Sequence, residues 1–215
     1  MVLNSVGQFS KERVMNNKKN NADKIELGLG DSLLVIDIQN DFLPGGRLAV
    51  TEGDQVIPVM NSYIDCFIQR QLPVFATRDW HPKNHGSFIN QGGPWPEHCI
   101  AGSTGAELAP GLHLPATVPV FSTGIEVEND GYSGFENPDL NKQLQQFGVS
   151  RLFIGGLATD YCVLKTVCDA LDLNYQVLLL TDAIRAVNVH RQDGEQAINK
   201  MILKGAIPIT LAMIQ

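Results

Sequence analysis

Short apolar runs separated by segments of helical period constrain this chain more than any other feature. Ser32-Leu33-Leu34-Val35-Ile36-Asp37-Ile38 is a continuous apolar run with no polar face, the pattern of a strand covered on both sides inside a parallel sheet. Comparable runs recur at 73–77, 117–122, 151–154, 175–180 and 207–212. Between the first two, residues 54–71 put Val56, Ile57, Met60, Ile64, Phe67 and Ile68 on one helical face. Residues 138–147 read as a second helix opened by Pro138. Val163, Val167, Ala170 and Leu171 mark a third, and residues 189–203 a fourth that stops near Lys204-Gly205. This alternation predicts an α/β fold, a three-layer αβα arrangement around a six-stranded, mostly parallel sheet. Pro119 puts the third strand at an edge or at a strand start. The ordered domain is expected over 31–215, behind a loose extension, 1–30, rich in Asn, Lys and Ser.

Charge and cysteine usage narrow the function classes. The formal charge of -7 argues against nucleic acid and anionic lipid as partners. No apolar run is long enough to span a membrane, and the N-terminus shows no h-region of the signal-peptide kind. Cys66, Cys99, Cys162 and Cys168 form no CxxC pair, which fits reduced thiols in a cytoplasmic protein. No G-x-G-x-x-G follows the first strand, so the dinucleotide-binding version of such a fold is not expected.

In open parallel sheets ligands bind beyond the carboxyl ends of the strands, and four chemistry-bearing segments fall there. Gly155-Gly156-Leu157-Ala158-Thr159-Asp160-Tyr161-Cys162-Val163 is a strand-to-helix turn with Cys162 in the first turn of the helix. Helix N-termini carry free N–H groups and partial positive charge, which lower a thiol pKa and can hold an oxyanion. Cys162 is therefore either a nucleophile or a packed structural thiol. Asp37 is a carboxylate within an apolar run; it either caps a backbone N–H or is a buried acid or base. The loop 78–105 is too long to be idle in a compact domain. It carries Asp79 and His81 two residues apart, then His85 and His98. One carboxylate and two or three imidazoles make a ligand set for a divalent ion such as zinc, iron or manganese, the alternative being solvated loop histidines. Tyr132 and Phe135, in the loop after the third strand, either line a pocket for a flat substrate or anchor that loop on the core.

Taken together these stretches resemble a known group. Val35-Ile36-Asp37-Ile38-Gln39-Asn40-Asp41-Phe42, Gly45-Gly46-Arg47-Leu48-Ala49-Val50, Asp79-Trp80-His81-Pro82 with His85-Gly86-Ser87-Phe88, Trp95-Pro96-Glu97-His98-Cys99, Tyr132-Ser133-Gly134-Phe135 and Gly156-Leu157-Ala158-Thr159-Asp160-Tyr161-Cys162-Val163 are similar to the nicotinamidase/pyrazinamidase group of the isochorismatase-like cysteine hydrolases. The resemblance implies hydrolysis of nicotinamide to nicotinate and ammonia in NAD salvage. It implies that Cys162 attacks the carboxamide carbon and that Asp37 takes the thiol proton and passes it to the leaving ammonia. It implies a cis Leu157–Ala158 peptide, with the N–H groups of Ala158 and Cys162 as oxyanion hole. Asp79, His81 and His98, with His85 as an open fourth, would hold a metal that binds the pyridine nitrogen, zinc being expected first. Phe42, Leu48, Trp95, Tyr132 and Tyr161 would line the ring pocket. A homo-oligomer fits the same expectation. One position departs: where the group has a catalytic Lys before a Gly, this chain has Thr123 before Gly124. Three functions follow: a working nicotinamidase, a weakened pyridine-carboxamide binder, and a cysteine hydrolase of another small amide.

Overall fold

The computed structural model describes residues 24–215. Six parallel strands form one sheet: β1 (Asp31–Ile36), β2 (Val74–Asp79), β3 (Val120–Thr123), β4 (Arg151–Leu157), β5 (Gln176–Arg185) and β6 (Ile207–Ile209). Their order is β3-β2-β1-β4-β5-β6. The chain thus winds outward from β1 to one edge, returns past β1, and winds to the other edge. The reversal point lies between β1 and β4, where the connections leaving the two strand ends run to opposite sides and leave a crevice.

Alternation along the strands sorts the core into two layers. Leu33 and Val35 of β1, Val74 and Ala76 of β2, and Leu178 and Leu180 of β5 face α1 (Val56–Gln69), which buries Val56, Met60, Tyr63, Ile64 and Phe67 against them. Leu34, Ile36, Phe75, Leu152, Ile154, Val177 and Leu179 face the opposite layer. That layer holds α2 (Pro138–Gln146), α3 (Leu164–Asp172) and α4 (Asp193–Lys204), which supply Leu140, Leu144, Val167, Ala170 and Met201. The three-layer α/β architecture expected from the alternation is the one found, with every strand pair parallel. β3 is an edge strand, and Pro119 stands just before its first residue, so both positions that the proline allowed hold.

Several boundaries move for identifiable reasons. β1 stops at Ile36 rather than running to Ile38, because Asp37 adopts a left-handed φ of 46°. Asp tolerates that conformation better than most residues. β4 runs three residues beyond the apolar run, through Gly155 and Gly156. Gly156 has φ 129°, and a Cβ there would sit 2.0 Å from the Ile36 carbonyl oxygen, so only glycine lets β4 approach β1 at the reversal point. α4 begins at Asp193, later than the apolar spacing indicated. The last seven residues of the expected loose extension are anchored: Ile25 bridges Ile214, and its N–H bonds the Met213 carbonyl at 2.7 Å. Arg151 also binds the Glu26 carbonyl at 2.8 Å and pairs with Asp31. The remainder of that segment, 1–23, lies outside the described residues. No helix among the described residues is long and apolar enough to cross a membrane.

Candidate active site and metal centre

Cys162 sits directly after β4, beside the reversal point. It belongs to a single π-turn, Thr159–Val163, that leads into α3, and not to the first α-helical turn as the sequence spacing indicated. A π-turn widens the helix locally and is often found at functional positions. The preceding Leu157–Ala158 peptide is cis, and the Ala158 N–H is directed at the Cys162 sulfur. Opposite stands Asp37, on the neighbouring strand end, hydrogen-bonded to the thiol. The sulfur and the carboxylate oxygens of Asp37 and Asp79 lie within 4.8 Å of one another.

The electrostatics run against the expectation from helix position. Burial, followed by the charges of Asp37 and Asp79, pushes the Cys162 thiol well up, and the Ala158 N–H opposes this only in part. Burial and then the Asp79 charge push Asp37 up to about 8. Three groups that all become negative on deprotonation share one dry space, so the pair holds a proton near neutral pH. A carboxylate in that range is poised both to accept and to return a proton. Thr77 steadies it: its hydroxyl, buried on β2, donates to Asp37 Oδ1 at 2.5 Å.

Asp79, His81 and His98 converge at the end of β2, their ligand atoms within 4.8 Å of one another and all buried. His81 Nε2 lies 3.3 Å and His98 Nε2 3.8 Å from Asp79 Oδ2. Each imidazole has its Nδ1 against a backbone carbonyl, of Gly124 at 3.0 Å and of Pro96 at 2.8 Å. A carbonyl can only accept, so both Nδ1 atoms carry the proton and both Nε2 lone pairs face inward. Buried imidazoles with oriented Nε2 atoms and one carboxylate fit a divalent transition ion. His85 does not join them. Its Nδ1 is bound to the Ser87 hydroxyl at 2.7 Å and its Nε2 to the Asn129 carbonyl at 2.8 Å, which leaves no lone pair for an ion. It stacks on His81 with ring centroids 4.1 Å apart, and this corrects its place as an open fourth ligand.

Residues far apart in sequence hold the candidate ligands in place, a role that sequence reading did not give them. Gln39, fully buried, accepts the Asp79 N–H at 2.8 Å and donates to the Asp79 carbonyl at 2.8 Å and that of Ala106 at 2.9 Å. Asp41 accepts the N–H of Cys99 at 2.7 Å, which fixes the backbone just after His98. His81 and Ile100 are bridged through the Cys99 carbonyl and Ala101 N–H. Gln39 and Asp41 stand within the stretch 35–42 that carries the family resemblance, but nothing in their spacing assigned them this bracing role.

Between the sulfur and the candidate metal ligands lies a small, partly open pocket lined by Phe42, Leu48, Asp79, Trp95, His98, Tyr132, Ala158, Tyr161, Cys162 and Val187. Trp95 and Tyr161 meet edge to face at 4.9 Å, and the Trp95 indole N–H donates to the Tyr132 hydroxyl at 2.8 Å. Phe135 instead stacks on Tyr175 at 6.1 Å, so of the two loop aromatics Tyr132 lines the cavity and Phe135 anchors. Val187 was not foreseen; Asp160 places it by accepting the N–H groups of Val187 and Asn188 at 2.9 and 2.8 Å. Thr123, buried at the end of β3, points to Asp79 and not to the thiol.

A cysteine and a carboxylate across the reversal point of a parallel sheet, beside a metal-ligand cluster, describe a hydrolase site of the cysteine type. The chain belongs to the isochorismatase domain family, which matches residues 31–213. Its relatives include the nicotinamidase of Escherichia coli, 42% identical over 84% of this chain and 95% of that protein. The pyrazinamidase of Pyrococcus horikoshii, solved in complex with zinc, superposes with a TM-score of 0.81 at 43% identity, over 85% of this chain and 99% of its own. A protein of L. infantum solved in complex with nicotinate gives a TM-score of 0.81 at 33% identity, over 89% and 98% of the two chains.

Proposed function

We propose that the protein is a nicotinamidase: it hydrolyses nicotinamide, and the analogous pyrazinamide, to the acid and ammonia. The observation that carries this reading is the single cavity bordered by Cys162, the Asp79–His81–His98 cluster and an aromatic wall. The aromatic side chains and the thiol that line it match the chemistry of a flat ring bearing one carboxamide. The carboxamide carbon lies against Cys162 and the ring nitrogen is directed to the metal end. Asp37 accepts the thiol proton as sulfur attacks, the Ala158 N–H supports the developing oxyanion, and the protonated Asp37 then gives its proton to the departing ammonia. Water, activated by the same carboxylate, cleaves the thioester and releases nicotinate. Asp79, His81 and His98 would hold a divalent ion, zinc being the first candidate, which would supply positive charge at the ring-nitrogen end of the site. The product acid would feed NAD salvage, in the cytoplasm.

Ammonia release from nicotinamide is the direct test. Activity is expected to fall at least about 10-fold after exhaustive chelation, in line with the cost of disturbing catalytic metal sites, and to return with zinc. No ammonia from the metal-loaded enzyme would refute the reading. Thr77→Val is expected to lower kcat by roughly 10-fold, the equivalent of losing one hydrogen bond to a charged group, with Thr77→Ser restoring most of it. An unchanged kcat in Thr77→Val would show that the hydroxyl does not hold the acid.

Thr123 favours a second reading, a pyridine-carboxamide binder of weak turnover, because the group's cation is missing beside the thiol. A cation about 4 Å from a thiolate is worth roughly 4 kcal/mol at an effective dielectric of 20. On that reading Thr123→Lys raises turnover by orders of magnitude. On the first it raises nothing.

A further inference from the structure

The end of β3 touches two of the three metal ligands and the backbone between them. Asp79 and Thr123 are paired across β2 and β3. The Thr123 hydroxyl, in a side chain 3% exposed, lies 3.3 Å from Asp79 Oδ1, with the Arg78 carbonyl at 3.4 Å as the competing acceptor. A carboxylate is the stronger acceptor of the two. Trp80, between the ligands Asp79 and His81, gives its N–H to the Thr123 carbonyl at 3.0 Å. The next carbonyl, of Gly124, takes the proton of His81 Nδ1 at 3.0 Å. Gly124 has φ 61°, and a Cβ on it would fall 2.3 Å from His81 Cε1, so the imidazole rests on the bare glycine backbone.

We propose that Thr123-Gly124 forms the outer shell of the metal centre, with Thr123 as a positioning residue for Asp79. By holding Oδ1 it keeps Oδ2 turned toward His81 Nε2 and His98 Nε2, the direction in which an ion is held. Gly124 does the same for His81, fixing its tautomer and its ring plane. Position 123 in this chain therefore serves the metal rather than the thiol. The inference rests on the metal reading above.

The test is zinc affinity of the metal-free protein, measured by competition with a chromogenic chelator, so that catalysis does not enter the readout. Wild type is expected to bind one zinc per chain. Thr123→Val, equal in shape and lacking the hydroxyl, is expected to bind about 10-fold more weakly, the lower end for loss of an outer-shell partner. Thr123→Ser, which keeps the hydroxyl, is expected to stay near wild type. Cobalt substitution supplies a second readout: the visible bands of the valine variant are expected to shift as the Asp79 ligand loosens, and those of the serine variant to stay. Thr123→Ala carries the same comparison against serine wherever valine lowers the folded fraction. Equal zinc affinity for wild type, Thr123→Val and Thr123→Ala overturns this inference and leaves the metal reading standing. A wild type that binds no zinc removes the metal reading and this inference with it.

Discussion

Replacing Cys162 by Ala is expected to lower kcat/KM for nicotinamide by at least about 10⁴-fold, or roughly 5.5 kcal/mol of transition-state stabilisation. The sulfur is the strongest nucleophile lining the pocket, and the groups around it are placed to assist an attack from it. Asp37 accepts from it, the Ala158 N–H faces it, and the aromatic wall confines whatever lies against it. Without the sulfur, those groups still bind and polarise the amide, so nicotinate binding is expected to persist while ammonia release disappears. Calorimetric titration with nicotinate beside an ammonia assay separates the two. A Cys162→Ala variant retaining a tenth of the wild-type rate would remove the thiol from the mechanism.

The second large effect is expected at Asp37, and it has two signs. Asp37→Asn is expected to cost about 10²- to 10⁴-fold in kcat, the range for loss of a general acid–base group. The same change is expected to stabilise the metal-free protein at alkaline pH. Burial first, and the Asp79 charge second, raise this carboxyl from 3.8 to about 8. A folded-state pKa above the unfolded value means that the native state holds the proton more tightly. The group's contribution is complete below pH 4 and is lost as pH rises through about 8. An amide has no such loss. The shift corresponds to an upper bound of roughly 6 kcal/mol, and relaxation around a buried charge reduces it, so a gain on the order of 2–3 kcal/mol at pH 9 is expected. Urea midpoints of chelator-treated wild type and Asp37→Asn at pH 4.5 and pH 9 measure it. The two proteins should differ little at the lower pH and widely at the higher. A gap that does not grow with pH would mean that Asp37 is not held under this strain. The carboxylate proposed as the acid–base group is among the least comfortable groups in the fold.

The proton balance also bears on the thiol. Placement before a helix argues for an easily ionised cysteine, yet burial and two carboxylates outweigh the helix terminus and the Ala158 N–H. The helix contributes a partial charge; the carboxylates contribute full ones at short range in a medium that screens them poorly. Proton transfer from sulfur to Asp37 therefore belongs to the attack step rather than preceding it. Thr123 bears on the same balance. It directs no charge at the sulfur, and its hydroxyl is engaged with Asp79.

What was legible in the linear chain was whatever depends on local pattern. Continuous apolar runs alternating with helical spacing determine a covered parallel sheet, since each side chain's burial follows from period alone. One proline that cannot donate to a ladder likewise limited β3 to an edge or a strand start. Cys162, Asp37, Asp79, His81 and His98 stood out because nucleophiles, carboxylates and imidazoles at strand ends have few structural uses. Tertiary structure alone decided the rest. Asp37 was read as part of a strand, and only the folded backbone shows the left-handed φ by which it ends β1. His85 and His98 look alike in sequence; they are told apart by whether both ring nitrogens are spent on Ser87 and Asn129 or one is left free. The sign of the Cys162 shift, the bracing of Asp79 by Gln39, and the turning of Thr123 toward the metal ligands all depend on contacts across about 40 or more residues of chain. Hydrogen bonds and charge interactions at that separation act through distance in space, and sequence spacing carries no record of it.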